Sequence, residues 1–313
     1  MPHELECSIV IPVFNSALSL RYLIGELDSF LQEFTDNFEI ILVNDGSRDN
    51  SWEVITEICG DNQRIRAFDL ARNFGQHNAL LCGIRQANYE VIITMDDDLQ
   101  HSPSDIPQLI KEIESGLDLV YATPKHENHS LWRKFSSSLV KWALKISVNV
   151  PYAEKISAFR AFRTVLRDNF SNYNNSYVSI DVLLSWGTTK IGFLEIEHHQ
   201  RKIGKSQYSF YKLMRHAANM IFGFSVLPLR VASVLGFIFT IFGFIILAYV
   251  LIRYLIQGGA VPGFSFLAST IAIFSGMILF VLGIVGEYLA RIYTNVMTKP
   301  QYLVTKSIGG KLV

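Results

Sequence analysis

Val91-Ile92-Ile93-Thr94-Met95-Asp96-Asp97-Asp98-Leu99-Gln100 joins an apolar run directly to three carboxylates and an amide. The apolar half is typical of a buried strand, which delivers the polar half to the carboxyl edge of a sheet, where open α/β folds bind ligands. Carboxylates this close repel one another unless a positive charge lies among them, and oxygen ligands favour a hard cation such as Mg²⁺ or Mn²⁺. The alternative is a solvated acidic turn before a helix that Ser102 or Ser104 caps.

Strand and helix patterns alternate through the first 125 residues or so. Short β-branched runs separated by helical periodicity indicate an α/β fold whose mostly parallel sheet is covered by helices on both faces. A helix over 132–149 and a late strand over 191–196 are also predicted. The other predicted strands are 8–13, 38–43, 65–70, 91–95 and 119–122, and the other predicted helices are 18–34, 51–59 and 75–87.

The composition bounds the class of protein. With 313 residues the chain has room for one or two domains, and its 28 basic and 28 acidic residues give no indication of nucleic-acid binding. The three cysteines, Cys7, Cys59 and Cys82, lack metal-ligand spacing, which predicts buried free thiols in a reducing compartment. The first residues have neither the basic start nor the apolar stretch of a signal peptide.

Half of the residues are hydrophobic, and the excess follows Leu227. Residues 231–252 and 264–285 carry no charge, and each would form a helix of about 33 Å, enough to cross a bilayer. They predict a transmembrane hairpin, with two buried core helices as the alternative. Basic residues flank the pair on its outer sides and Arg253 lies between the two segments, so the positive-inside rule places both termini and the N-terminal domain in the cytoplasm.

An amphipathic pattern covers residues 209–224. Its apolar face and its cations, such as Lys212 and Arg215, predict a helix in the membrane interface, although a helix packed on the α/β domain has the same pattern. The predicted organisation is a cytoplasmic α/β domain at 1–205, an interfacial helix at 206–227, the hairpin at 228–291 and a cytoplasmic tail at 292–313.

Three further polar loops follow predicted strands, and parallel strands bring their carboxyl ends to one edge. Each loop alone is more typical of a turn, but with the acidic run they describe a pocket for a polar ligand, such as a nucleotide diphosphate bound to a cation at Asp96 and Asp98. No Gly-x-Gly-x-x-Gly or Gly-Lys-Ser/Thr loop follows the first strand, which argues against a dehydrogenase or a nucleotide triphosphatase. The loops are Pro12-Val13-Phe14-Asn15, Asn44-Asp45-Gly46-Ser47 and Arg72-Asn73-Phe74-Gly75-Gln76.

The order of these motifs resembles that of family 2 inverting glycosyltransferases of the GT-A fold, in the branch of polyprenyl-phosphate glycosyltransferases similar to dolichol-phosphate mannose synthase. The resemblance covers nearly the whole chain, and it is the order that is specific, since any one motif alone is not. The matching segments are 8–15, 43–47, 72–75, 95–100, Ser157-Ala158-Phe159-Arg160, 198–208 and the late hairpin.

The resemblance implies a role for each matching residue and makes the α/β domain catalytic. Three adjacent aspartates leave the Asp-x-Asp register formally open, and Asp96/Asp98 is favoured because Leu-Gln follows it. The implied donor contacts are Pro12, Phe14, Asn15, Asp45, Asn73, Gly75 and Asp97. The implied ligands of Mg²⁺ or Mn²⁺ are Asp96, Asp98 and Gln100, and the implied contacts of the acceptor phosphate are Arg201, Lys205, Ser206 and Tyr208. The implied catalytic residues are Asp98, Asp181 and Arg201, with attraction to lipid head groups as the alternative for Arg201.

The chain departs from the family pattern in two places. Many relatives carry an acidic residue where this chain has Ala158, so Asp181 becomes the candidate base, with a helix N-cap as its alternative. The Gln-x-x-Arg-Trp signature of processive synthases is absent from the sequence, so transfer of one sugar per turnover is expected.

The resemblance implies a multi-pass plasma-membrane enzyme that moves one hexose-type sugar from a nucleotide diphosphate to a polyprenyl phosphate, with undecaprenyl phosphate expected. A phosphomonoester is largely dianionic at neutral pH, so this acceptor needs no strong base. One alternative is transfer to a hydroxyl of a lipid-linked or cell-envelope saccharide, which would make Asp181 indispensable. Another is a catalytically silent membrane anchor that binds nucleotide sugars. Glycines in the apolar segments allow close helix packing, within one chain or in a homo-oligomer.

Overall fold

The computed structural model of the protein describes residues 6–125, 155–175, 177–197, 221–257, 263–297 and 299–310. The chain divides into two compact units, one made of 1–137, 150–209 and 298–313, the other of 138–149 and 210–297. The predicted helix at 132–149 lies outside the described residues. Of the predicted interfacial helix at 206–227, residues 221–227 are described: 221–224 are helical, 225 and 226 are not, and 227 begins the next helix.

One sheet forms the centre of the first unit. Its strands are β1 (Cys7–Val13), β2 (Phe38–Asn44), β3 (Ile65–Leu70), β4 (Val91–Thr94), β5 (Leu119–Pro124), β6 (Arg160–Arg163), β7 (Ile191–Ile196) and β8 (Val304–Ile308). They are ordered β7-β5-β6-β4-β1-β2-β3-β8. β1 to β4 run parallel to one another and β7 runs parallel to β5, whereas β6 and β8 are antiparallel to their neighbours. The predicted mostly parallel sheet is therefore confirmed.

Helices cover both faces of this sheet. They are α1 (Ala17–Phe34), α2 (Ser51–Asp61), α3 (Gln76–Gln86), α4 (Ile106–Glu114), α5 (Val165–Asp168) and α6 (Ile180–Gly187). Because successive side chains of a strand point to opposite faces, β1 contributes to two cores. Ile9 and Ile11 pack with α1, α2 and α4, whereas Val10 packs with α3 and α6. Burial on both faces explains why the central strands are continuous apolar runs.

The sequence does not predict β6 and β8. β6 has four residues and an arginine at each end, and β8 is an edge strand without a fully buried residue. Neither therefore has the apolar run that marks the central strands. Within the predicted tail at 292–313, the structure has α8 continuing to Val296 and Val304–Ile308 pairing with β3 in the sheet.

The three cysteines are free and buried, as predicted. Burial raises the pKa of Cys7, Cys59 and Cys82 to about 12. A thiol held in its neutral form is a poor nucleophile, so these residues act as small core side chains.

The second unit contains two long helices, α7 (Leu227–Gln257) and α8 (Phe264–Val296). Both are long and apolar enough to cross a membrane. They pack on each other, with the rings of Phe239 and Phe274 6.1 Å apart, and Tyr288 Oη donates a hydrogen bond to the carbonyl of Ser225. Each helix extends beyond its predicted uncharged segment, and α8 continues over Glu287 and Arg291, which form an ion pair at 2.8 Å.

Substitution of Gly83 tests the packing of α3 on the sheet. A Cβ at this position would lie 2.4 Å from Val10 Cγ1 and 3.1 Å from Val43 Cγ2, both on buried strands. We expect Gly83→Ala to destabilise the first unit by about 1–3 kcal/mol, seen as a lower thermal midpoint in detergent. Gly25→Ala is the matched control, because Gly25 lies in α1 and a Cβ there would have nothing within 4 Å. This substitution should be neutral or should stabilise the unit by up to about 1 kcal/mol. Equal midpoints for the two variants would contradict this packing.

Candidate active site

The polar loops predicted from the sequence meet at the carboxyl edge of the sheet. Val13 is in register with Asn44 on β2, and Val10 is in register with Thr94 on β4, so the loops that follow these strands begin side by side. Hydrogen bonds connect the loops at residues 14–16, 45–48, 72–75 and 95–100 to one another. This edge is the candidate active site.

The loop after β1 presents an aromatic side chain. Phe14 is 40% exposed, although most large apolar side chains of the sheet are buried. The next residue, Asn15, has a φ of +55°, a left-handed conformation that asparagine tolerates better than most residues. Its N–H donates to Ser47 Oγ at 2.9 Å, and its side-chain Oδ1 accepts from the N–H of Arg48 at 2.8 Å. The loops after β1 and β2 are therefore joined at Asn15.

Asp45 joins the loop after β2 to the loop after β3. Its Oδ1 accepts the N–H of Phe74 at 2.7 Å and its Oδ2 accepts the N–H of Gly75 at 2.9 Å, next to the start of α3. Burial raises the pKa of Asp45 to about 6, and the two backbone donors lower it in part. The loops also touch at Gly46, where φ is +62° and a Cβ would lie 2.4 Å from the carbonyl carbon of Arg72. The predicted contact of Asp45 with a donor nucleotide stays a prediction, because both of its oxygens already accept hydrogen bonds from the protein.

Asp97, the middle residue of the acidic run, turns toward the loop after β1. Its Oδ2 accepts from Ser16 Oγ at 2.5 Å and from the N–H of Phe14 at 3.3 Å, and its carbonyl accepts from Ser19 Oγ at 3.2 Å. Burial raises the pKa of Asp97 above its usual value, and the bonds from Ser16 and Phe14 lower it in part. Asp97 thus holds the position of Phe14, and its direct contact with a donor stays a prediction.

Asp96 and Asp98, on either side, are partly exposed. Asp96 Oδ1 accepts from Gln76 Nε2 at 2.6 Å, and Asp98 Oδ1 accepts the N–H of Gln100 at 3.2 Å. Between Asp98 and Gln100, Leu99 has a φ of +61°, a strained conformation for a branched side chain of the kind that concentrates at functional sites. The outer carboxylates are therefore presented by a strained turn.

The oxygen atoms of Asp96 and Asp98 fit a cation that is bound together with phosphates. Among the described residues no three His, Cys, Asp or Glu side chains group to hold a metal, so Asp96 and Asp98 would supply two carboxylates. Mg²⁺ is usually bound by one or two carboxylates, with substrate phosphates and water completing its octahedron. The residues present thus fit a cation that arrives with a diphosphate, with Gln100 as the third predicted ligand.

Asp181 lies beside the site in a pair with a buried arginine. It forms an ion pair with Arg160, which is 1% exposed, and accepts from Tyr121 Oη at 3.2 Å. The alternative of a helix N-cap is wrong, because α6 begins after Ser179 and Asp181 lies in its first turn. Arg160 also donates to Thr94 Oγ1 at 2.9 Å, and Thr94 Oγ1 donates to the carbonyl of Ala158 at 2.7 Å. The pair therefore braces β4 at the point where the acidic run begins.

The other predicted site residues differ in how the structure places them. Pro12 is buried within β1, Asn73 is exposed, and Gly75 precedes α3 with a φ of +97°. Arg201, Lys205, Ser206 and Tyr208 lie outside the described residues, so their roles stay predictions. Ser102, an alternative cap, does cap the short 3-10 turn at Pro103–Asp105.

Sequence reasoning misses the residues that connect the loops. Ser16 follows one motif, Ser47 ends another and Thr94 precedes the acidic run, and none of them is assigned a role there; Arg160 likewise ends the Ser-Ala-Phe-Arg motif without an assigned function. A buried arginine at the edge of an apolar strand is a usable signal, because such a charge needs a carboxylate partner. The serines have no comparable signal, because serine is common in turns.

The chain is similar in sequence to glycosyl transferases and other sugar transferases. The family model described as glycosyl transferase family 2 matches residues 8–174. Undecaprenyl-phosphate 4-deoxy-4-formamido-L-arabinose transferase of Photorhabdus laumondii is 32% identical over 305 residues, which cover 96% of this chain and 94% of that protein. The protein of the same name from Pectobacterium carotovorum is 33% identical over 305 residues, 96% of this chain and 93% of that one.

Among solved structures, glucosyl-3-phosphoglycerate synthase from Mycobacterium tuberculosis is similar to this chain with a TM-score of 0.52. The match covers 70% of this chain and 78% of that one at 15% identity, a level at which the likeness concerns the fold. That structure contains Mn²⁺, uridine-diphosphate-glucose and phosphoglyceric acid.

The raised pKa of Asp45 predicts a pH dependence of stability. A carboxyl whose pKa rises from 3.8 unfolded to about 6 folded stabilises the fold below pH 4, and this contribution is lost as the pH rises through 6. We expect the unfolding free energy of the wild type, relative to Asp45→Asn, to fall between pH 4 and 7 by at most about 3 kcal/mol. Thermal unfolding of both proteins across this range measures it, and parallel pH profiles would contradict the assignment.

Proposed function

We propose that this chain, which belongs to glycosyl transferase family 2, transfers one sugar from a nucleotide diphosphate to undecaprenyl phosphate, with inversion at the anomeric carbon. The observation that carries the proposal is the extent of the similarity to relatives named as undecaprenyl-phosphate sugar transferases. It spans nearly the whole of each chain, and so includes the sheet with its acidic edge as well as the two apolar helices.

The donor fits the carboxyl edge. Phe14 offers an exposed ring against which a nucleobase can pack, and the diphosphate would lie toward Asp96 and Asp98. A divalent cation held there with Gln100 would neutralise the charge that grows on the departing diphosphate. Mg²⁺ and Mn²⁺ both suit this set of oxygen ligands.

The nucleophile is a phosphate oxygen of the acceptor. Its second proton is lost near pH 6, so at neutral pH the acceptor arrives already charged and a strong protein base is unnecessary. The ion pair between Asp181 and Arg160 supports this, because that carboxylate is held by a buried guanidinium and by Tyr121. Arg201 and Lys205, with Ser206 and Tyr208, are proposed to bind the acceptor phosphate and to bring it toward the sugar.

The two apolar helices suit an enzyme whose acceptor is a lipid. We place them across the plasma membrane, with the α/β domain and both termini in the cytoplasm, on the distribution of basic residues around the pair. Arg230 lies in the first turn of α7 and Lys299 follows α8, whereas Arg253 lies near the end of α7, close in sequence to the connection between the two helices. A water-soluble nucleotide sugar and a membrane-bound phosphate would then meet on the same side.

Loss of Asp98 tests the cation site. Asp98→Ala removes one of two carboxylates, and we expect turnover to fall by roughly 10²–10³-fold. The assay incubates membranes with labelled nucleotide sugars, including nucleotide-linked 4-deoxy-4-formamido-L-arabinose, and identifies the glycolipid by mass spectrometry. Asp36→Ala, an exposed carboxylate in the turn before β2, is the matched control and should keep its activity. Exhaustive chelation should abolish product in the wild type, and Mg²⁺ or Mn²⁺ should restore it.

Full activity of Asp98→Ala, or of chelated wild-type enzyme, would refute the role of the cation. Arg201→Ala with near-normal turnover would refute the proposed acceptor site. A wild-type enzyme that hydrolyses no donor and forms no glycolipid would instead indicate a silent nucleotide-sugar-binding anchor.

Asp181→Asn separates a phosphate acceptor from a hydroxyl acceptor. With a phosphate nucleophile, we expect turnover to fall only a few-fold and the thermal midpoint to fall as well, because Arg160 loses its buried counter-ion. A hydroxyl acceptor would need a general base, so the loss would then reach roughly 10²–10⁴-fold. Tyr121→Phe is the control, because it removes one hydrogen bond to Asp181 and keeps the carboxylate.

A further inference from the structure

We propose that Asp69, on β3, is a positioning residue for the donor site and that it acts through a chain of hydrogen bonds that passes through the buried Asn44 and ends at Asn15. The chain of bonds links the C-terminal strand β8 to the loop that presents Phe14. The inference rests on the proposed function, because it assigns a purpose to the donor loop of that same site.

The hydrogen bonds run in one direction through four residues. The N–H of Asn15 donates to Ser47 Oγ at 2.9 Å, and the hydroxyl of Ser47 donates to Asn44 Oδ1 at 2.6 Å. Asn44 Nδ2 then donates to Asp69 Oδ1 at 2.7 Å. Each donor is polarised by the acceptor beyond it, and the chain ends on a carboxylate, so its members strengthen one another.

Burial makes the middle of this chain sensitive to change. Asn44 is 2% exposed, and both ends of its amide are engaged. Without the Asp69 carboxylate, the Asn44 amide would lose an acceptor in a place that water does not readily reach, a costly change for a buried donor. The amide would then lose its fixed orientation, and with it the acceptor for Ser47.

Asn15 is the residue that needs this support. Its φ of +55° stores backbone strain, and it is held there by Ser47 on one side and by the N–H of Arg48 on the other. Phe14, the residue before Asn15, is held from the opposite side by Asp97. The chain of bonds therefore fixes the side of the donor loop that the acidic run does not reach.

Asp69 itself lies where β8 meets β3. Thr305 Oγ1 donates to the carbonyl of Asp69 at 3.1 Å, the N–H of Ala71 donates to the carbonyl of Leu303 at 2.9 Å, and Lys306 Nζ is 4.0 Å from Asp69 Oδ2. The ladder between the two strands changes register between Asp69 and Leu70. Asn44 and Ser47 lie between Asp69 and Asn15 in the chain of bonds, so the effect of Asp69 on a bound nucleotide sugar is indirect.

The test is a double-mutant cycle on the full-length enzyme. Kinetics are measured with whichever of the labelled nucleotide sugars yields a glycolipid in the membrane assay. Asp69→Ala and Ser47→Ala should each raise the donor KM about tenfold, while kcat and the acceptor KM stay within about twofold. The double variant should be no worse than either single one, because both break the same chain of bonds. Asp69→Asn keeps an acceptor oxygen and should restore the donor KM to within about threefold of the wild type.

Lys306→Ala is the matched control at the same strand, because it removes an exposed contact to Asp69 and leaves the chain intact, and it should not change the donor KM. Hydrogen exchange without substrate gives a second measurement. Asp69→Ala should speed exchange in peptides that contain Asn15 and leave peptides from α4 unchanged.

Independent, multiplying effects of the two alanines on the donor KM would overturn the proposal, and so would unchanged exchange at Asn15. A lower thermal midpoint with an unchanged donor KM would assign Asp69 a purely structural role and would overturn it too. Absence of any glycolipid from the wild type would contradict the proposed function, whereas the exchange measurement would still decide whether Asp69 holds the loop.

Discussion

Two carboxylates, the buried Asp45 and the partly buried Asp97, hold the candidate active site together, because each accepts at least one backbone N–H from a loop that follows a different strand. Asp45 follows β2 and binds the loop after β3, and Asp97 follows β4 and binds the loop after β1. A buried carboxylate is unfavourable unless hydrogen bonds compensate its desolvation, and here the compensating donors come from the neighbouring loops. The loops at this edge of the sheet are thereby fixed in relation to one another before any ligand arrives.

This arrangement divides three adjacent aspartates by function. The middle one accepts hydrogen bonds from the loop after β1, whereas Asp96 and Asp98 accept from Gln76 and from the N–H of Gln100, and the outer two are the carboxylates proposed to hold a cation together with phosphates. The strand that carries them is braced from its other side by Arg160 and Asp181 through Thr94. Rigid support of this kind is what transition-state electrostatics requires, because the charges must already be in place when the leaving group departs.

The central sheet and the edge that carries the site follow from the sequence, because strands buried on both faces appear as continuous apolar runs and parallel strands share a carboxyl edge. β6 and β8 do not follow, since a four-residue strand between arginines and an exposed edge strand depend on partners far along the chain. The roles of Asp45, Asp97 and Asp181 also escape prediction. The partners of these carboxylates are decided by contacts across 21 to 83 residues, and no local pattern encodes them.

The late position of β8 has a consequence for biosynthesis. Thr305 contacts Asp69 across 236 residues. The pairing of β8 with β3 can therefore form only after the ribosome has made both apolar helices and the residues that follow them. At roughly 5–20 residues per second, that delay is on the order of 10–50 s. During this interval a nascent chain exposes an unpaired strand edge, which is a site for wrong pairing between polysome neighbours. The contacts that β8 makes with Asp69 therefore form only after both apolar helices have been translated.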